Sequence, residues 1–217
     1  MQFRYVATPV KSLPDEPEID LRSFDSFTRI DGVLSPRHVL GGALITFPRE
    51  VRQVTMNTFR PGETTPDFNQ SGFSLGLVDR FAVWSDLVVE TTLSFRRFEI
   101  DVNTGNQSPM VYAPETQRGG FFNDQEREVT SLQWVEALTL SRDLWRGQHV
   151  FKFGIDVQRS SYTGESTSRP VEILRTDGTL AERIDFGPPS RQDVTGSEIA
   201  LFAQDRWRVN SRLTFEF

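Results

Sequence analysis

The sequence predicts an all-β protein whose strands run up and down as an antiparallel meander, each strand carrying one apolar face. Three observations lead there. Apolar and polar residues alternate in long runs, most strictly in HVFKFGIDVQ: Phe151, Phe153, Ile155 and Val157 fall on one face, and Val150, Lys152, Gly154, Asp156 and Gln158 on the other. Almost no segment has helical period. Short turns alternate with long polar connections. A one-sided apolar face fits either the core of a soluble sandwich or the hydrocarbon of a membrane, and the period alone does not choose.

The strands pair in order along the chain. VLGGALITF, Val39–Phe47, is expected to pair with RQVTMNTFR, Arg52–Arg60, through the short PREV. Gly72–Val83 and Leu87–Val102 form a second pair, joined by Trp84, Ser85 and Asp86. In the latter strand Leu87, Val89, Thr91, Leu93 and Phe95 share one face, whereas Phe98, Ile100 and Val102 share the opposite one. The phase slips near Arg96 and Arg97, at a bulge or where the strand leaves the apolar layer. Val129–Ser141 and His149–Ser160 pair through RDLWRGQ, and Ser197–Trp207 and Leu213–Phe217 through RVNSR.

Between pairs the chain runs through Arg60–Ser71, Asn103–Glu128 and Ser161–Gly196, the last two long, polar and rich in Gly, Pro, Asn and Ser. Compact soluble domains rarely spend so much chain on loops. Alternating short and long connections put all the long ones at one end of the sheet, the layout of outer-membrane β-barrels. Strand length agrees, because several candidates reach the roughly 9–11 residues that a tilted membrane strand needs. Trp84, Trp145 and Trp207 each sit in or beside a short turn, and together they suggest an interfacial aromatic girdle; singly, each also fits a soluble hairpin core. Trp134 lies mid-strand and fits either reading. Asp177-Gly178, flanked by apolar residues in Val171–Phe186, predicts a β-hairpin within the longest loop.

Composition removes other classes. The 217 residues suffice for one large domain or part of a larger one. A mean hydropathy of −0.40 and the absence of a long apolar run argue against helical membrane spans. A net charge of −6 lacks the basic footprint of a nucleic-acid binder. The lack of cysteine excludes thiolate metal sites, disulfides and thiol catalysis. The first twenty residues show no basic segment followed by an apolar one, so an exported protein would make this chain an internal fragment.

The run FAQDRWRVNSRLTFEF resembles the barrel signature of TonB-dependent outer-membrane receptors, especially the Oar-like proteins with an N-terminal carboxypeptidase-regulatory-like domain. Their D-x-W-(R/K)-(V/I)-x-x-x-L-T turn is matched by Asp205, Trp207, Arg208, Val209, Leu213 and Thr214. An H-x-x-K-F-G pattern is matched by His149, Lys152, Phe153 and Gly154. The resemblance covers roughly residues 40–217 and implies a segment of about eight strands, from residue 39 to 217, of a barrel that has about 22, with residues 1–38 a loop or strand leading in. The TonB box and globular plug are absent. The family's next strand usually continues into G-L-R-Y-D, so truncation at Phe217 is expected, although Leu213, Phe215 and Phe217 also alternate as a natural terminal barrel strand does. The implied role is TonB-energised uptake of a bulky nutrient across the cell outer membrane. The implied partners are outer-membrane lipid, the TonB complex through the missing plug, and an unknown ligand at the extracellular loops.

Other chemistry is weaker. Gly72-Phe73-Ser74-Leu75-Gly76 satisfies G-x-S-x-G, but a nucleophile elbow needs a strand-to-helix turn and here the motif opens an alternating strand. Small lumen-facing residues are the favoured reading, and an outer-membrane esterase on Ser74 the lesser one. His38 and His149 are too few for a histidine-rich site, with His149 expected at the membrane rim. Asp124, Glu126 and Glu128 read as a solvated surface. No catalytic, cofactor or metal residue is assigned. The alternative function from another class is a soluble secreted β-sandwich binding carbohydrate or protein.

Overall fold

The computed structural model describes residues 1–10, 19–144 and 147–217. In chain order the strands are β1 (Gln2–Val10), β2 (Ile19–Ser35), β3 (His38–Thr46), β4 (Arg49–Val51), β5 (Asp67–Ala82), β6 (Leu87–Asn103), β7 (Met110–Tyr112), β8 (Gln117–Arg118), β9 (Asn123–Leu144), β10 (Gly147–Ser168), β11 (Val171–Leu174), β12 (Leu180–Ile184), β13 (Ser190–Arg208) and β14 (Thr214–Glu216); Gly62–Thr64 forms a 3-10 turn. Ten strands make one sheet in the order β1-β2-β3-β5-β6-β9-β10-β13-β14, with β4 pairing β2 and β5. Every neighbouring pair in it is antiparallel. This is the expected meander.

Eight of its strands have nine or more residues. Residues 1–38 supply two strands of the sheet, β1 and β2. The expected partner of β3, Arg52–Arg60, is not a strand: Gln53 and Thr55 have φ of 56° and 69°, and the Gln53 amide donates to the Asp67 carboxylate at 2.9 Å. Such left-handed residues cannot continue a ladder. PREV is not a turn either. β4 keeps the register of β3 against both neighbours, since Ala43↔Gly76 and Arg49↔Gln70 lie on one line, as do Thr28↔Leu44 and Ser23↔Arg49. The line is interrupted only at Phe47–Pro48, where proline has no N–H to donate; its carbonyl still accepts from the Phe24 amide at 3.0 Å. The true turn is upstream, between Ser35 and His38, just past the register shift at Val33–Ser35.

The phase slip in β6 has its cause in the second of the two expected alternatives. Pairing with both β5 and β9 is unbroken from Val88 through Val102, so no bulge is present. After Phe95 the same face carries Arg97, Glu99 and Asp101. The strand has left the apolar layer.

A sandwich requires two facing sheets with an apolar core between them. Among the described residues the buried apolar side chains are Met56, Met110, Ala137 and Val171, and only Ala137 belongs to the large sheet. The second, four-stranded sheet, β12-β11-β7-β8, is built from the connections. The large sheet is therefore a single-layer wall.

Candidate functional site: the wall and its cap

Side chains of directly paired residues share a face, so registers assign the two surfaces of the wall. One carries Phe151, Leu140 and Leu87; then Phe153, Leu138, Val89 and Phe81; then Val157, Trp134, Leu93 and Leu77; then Leu132, Phe95, Leu75 and Leu44. Many are exposed, Phe153 at 47% and Leu201 at 79%. On β10 this apolar stretch runs from His149 to Arg159, ten residue steps. At about 3.4 Å per residue and a tilt of about 40°, it spans roughly 26 Å, close to the apolar height of a membrane barrel.

The opposite face is largely polar or small beside the band, with Phe202 over Gly154 and Phe98, Ile100 and Val102 higher up. Gln133 donates to Asp156 at 2.9 and 3.0 Å, Gln158 to Ser131 and Ser160 at 3.3 and 3.1 Å, and Arg29 is bidentate on Asp31. Gly154 of the H-x-x-K-F-G pattern lies here, paired with Phe202. A Cβ on it would meet the Phe202 ring at 2.1 Å and the Glu136 carbonyl at 2.6 Å. The ring covers the glycine, and any side chain would displace it. Gly72, Ser74 and Gly76 also lie on this face. Ser74 sits mid-strand between Ile45 and Arg96, not at an elbow.

One row breaks the apolar surface, that of Ile155, Glu136, Thr91, Asp79 and Leu40, where Asp79 takes His38 as its partner. Glu136, between Trp134 and Leu138, turns its carboxylate onto the same face and accepts from the Thr91 hydroxyl at 2.7 Å. The alternation of β9 already sets this residue in the series Leu132, Trp134, Leu138 and Leu140, as the charged member of an apolar face.

The short turns gather at one end. Trp84 is exposed in the β5–β6 turn, and Trp207 lies near the end of β13; Trp145 falls outside the described residues. A continuous run of rings begins at the rim with Phe217, Phe215, Trp207 and His149 and climbs β10 through Phe151 to Phe153, with successive centroids 5.4–6.3 Å apart. His149 pairs with Asp205 at 2.8 Å, and His38 with Asp79 at 2.6 Å. Each imidazole holds a single carboxylate. Among the described residues no group of three or more His, Asp or Glu is placed to hold a metal.

At the other end the long connections are shorter than expected, because β9 and β10 continue as strands for 22 residues each. What remains is ordered into a cap. β11 of one connection pairs parallel with β7 of another. Gln117, 1% exposed, donates its side-chain amide to the Thr64 carbonyl at 3.2 Å and its backbone N–H to Phe59 at 2.8 Å. The buried Arg169 guanidinium reaches Gln107 at 3.1 Å, the Phe121 carbonyl at 2.8 Å and the Asp124 carboxylate. Three connections are thus locked together by polar side chains from segments with no period, where sequence reasoning had nothing to read. Asp124, expected as solvated surface, is one of the locks.

The expected hairpin is present. β11 and β12 flank a turn in which Gly178 donates to the Arg175 carbonyl at 2.9 Å and takes φ +82°, so the glycine permits the left-handed step. Asp177 accepts from the Thr179 hydroxyl at 2.7 Å and amide at 2.9 Å. These two bonds hold its carboxyl below the ordinary aspartate value.

A wall with one apolar face of bilayer height, a polar opposite face, short turns at one end and long connections at the other defines the fold class: a section of an outer-membrane β-barrel. The particular likeness is to the outer membrane transporter YddB from Escherichia coli, with a TM-score of 0.69 and 10% identity over 88% of this chain. The chain spans 26% of that transporter's length. No protein family and no curated protein matches the sequence. No described helix is long and apolar enough to cross a membrane, which says nothing about strands.

Proposed function

We propose that residues 39–217, together with β1 and β2, form part of the wall and outer mouth of an outer-membrane transporter that takes up a bulky nutrient. The observation that carries this reading is the coincidence of a roughly 26 Å apolar band with connections that are short at one end and long at the other. The resemblance of Asp205–Thr214 to the TonB-dependent receptors adds the energy source: TonB acting through a plug outside this chain. The wall contributes physics rather than chemistry. Ladder pairing satisfies backbone groups in hydrocarbon, and the cap of β7, β8, β11 and β12 offers the ligand surface. It acts as a receptor and not as an enzyme, since Ser74 stands mid-strand on the polar face.

The test uses single cysteines, because the chain has none of its own. In intact cells making the full-length protein, an impermeant thiol reagent should label cysteine at Glu115 or Thr176 in the cap. Cysteine at Asp143 or Asn210, at the short turns, should stay unmodified until the outer membrane is opened. Labelling of the turns alone would invert the orientation; equal labelling of all four would remove the membrane from the reading.

A further inference from the structure

Above the apolar band the two faces of the wall exchange character. Beyond Arg97 the apolar side chains of β6, Phe98, Ile100 and Val102, stand half-buried on the inner face, where lipid does not reach. The Phe47 ring joins them. A Cβ on Gly72, the direct partner of Phe98, would meet that ring at 2.6 Å, and its centroid lies 6.1 Å from that of Phe98. The two rings make a shelf over Gly72, continued on the other side of Phe98 by Val129 and Tyr162.

Arginines bracket the shelf. One row below stands Arg96, between Ser74 and Ser131; one row above stand Arg127, beside Ile100, and Arg49, beside Gln70. The two rows are four residues apart on β9, about 14 Å along the wall. All three arginines are exposed, and no described carboxylate pairs with them; Arg127 reaches only the neutral Gln125 side chain, at 2.6 Å. Arg49 also borders a groove of about 470 Å³ beside Pro48, which Glu50, Glu99 and Asp101 line as well. Arg96 and Arg127 have no such second surface. In these three inner rows the only described carboxylate is Asp25, opposite Arg4.

The outer face at the same height is acidic. Glu99 stands directly against Glu128, and Asp101 against Glu126, which in turn faces Glu165. Arg97 is taken up by Glu99 and by Glu128, the latter at 3.1 Å. Neighbours in sequence thus have opposite fates: Arg97 is neutralised on the outside, and Arg96 stands uncompensated on the inside.

Apolar surface set among uncompensated cations calls for an occupant with the inverse pattern. Arginine forks fit planar carboxylates, and phenyl rings favour a stacked aromatic body. We propose that the inner shelf binds an elongated aromatic anion as it enters the mouth, its rings on Phe47 and Phe98 and its carboxylates at Arg96 and Arg127. The inference deepens the proposed function and rests on its assignment of the inner face.

Full-length protein in an uncharged detergent, titrated calorimetrically with biphenyl bearing a para carboxylate at each end, should bind it about tenfold more tightly than the matching dicarboxamide. Arg96→Gln and Arg127→Gln should each remove most of that preference, and Phe98→Ala should weaken both probes. Arg97→Gln, next along the chain but on the outer face, should leave binding unchanged. Two independent arginine variants keep the test valid if one does not fold. No binding to the wild type, as would follow if another part of the full-length protein covered the shelf, would overturn the proposal, as would equal affinity for the dicarboxamide or an equal loss in Arg97→Gln. A full-length protein that stays soluble and monomeric without detergent would instead overturn the membrane reading beneath it.

Discussion

Replacing Phe153 by arginine tests the assignment of the two faces most directly. Phe153 stands four residues above His149 on β10, within an apolar stretch that ends ten residues above it at Arg159. The centre of that stretch falls at Gly154, so at about 3.4 Å per residue and a tilt of about 40° the Phe153 level lies about 3 Å from the midplane. Directly opposite it on the same face, Leu138 and Ala203 carry no charge, and the diagonal carboxylates Glu136 and Asp205 are already held by Thr91 and His149; its ring stacks on Phe151 at 6.3 Å. Arginine facing lipid at that depth costs about 2–4 kcal/mol, a roughly 30- to 900-fold shift in the folding equilibrium. The adjacent Lys152 points to the polar face, between Thr139 and Gln204, and Lys152→Gln should cost less than about 0.5 kcal/mol. Reversible urea unfolding of the full-length barrel in phospholipid vesicles, followed by tryptophan fluorescence, measures both. Equal losses, or a larger loss for Lys152→Gln, would refute the face assignment and with it the apolar band.

Other outcomes follow from the same geometry. Glu136→Leu removes a carboxylate from the apolar face and should stabilise the barrel by about 1 kcal/mol in the same assay, since acidic groups there cost less than basic ones; a loss would mean that the Thr91 contact outweighs exposure to lipid. Gly178→Val forces a β-branched residue to φ +82°, at a cost of about 1–3 kcal/mol, and should speed amide exchange in β11 and β12 while leaving β9 and β10 protected. The depressed Asp177 carboxyl contributes stability that is fully present above its unfolded value and is lost as pH falls through its lower folded value. Exchange at the Thr179 amide should therefore show the hairpin intact at pH 5 and loosened only below the ordinary carboxylate range. Expressed alone, the chain should not sediment as a soluble monomer, because Ile30, Ile199 and Leu201 are more than 70% exposed and β1 and the upper part of β13 are open edges.

The sequence by itself determined what depends on nearest neighbours along the chain. Alternation with period two marked β5, β6, β9, β10 and β13, because a strand's faces follow from backbone geometry alone. The Asp177-Gly178 turn was legible because only a residue tolerant of positive φ fits it. The unequal connections were legible because they are counted along the chain. What the sequence did not determine was pairing. Val39–Thr46 alternates whichever partner it has, and only the tertiary structure showed that it takes β2 and β5, with Arg49–Val51 prolonging its line past Pro48. The same proline could have flagged an interruption, yet whether a chain turns or continues there depends on hydrogen bonds from Phe24 and Phe47 to residues far away in sequence. The buried Gln117 and Arg169 and the groove beside Pro48 were equally invisible. Each exists only because residues distant along the chain have been brought side by side, and composition and periodicity carry no record of that.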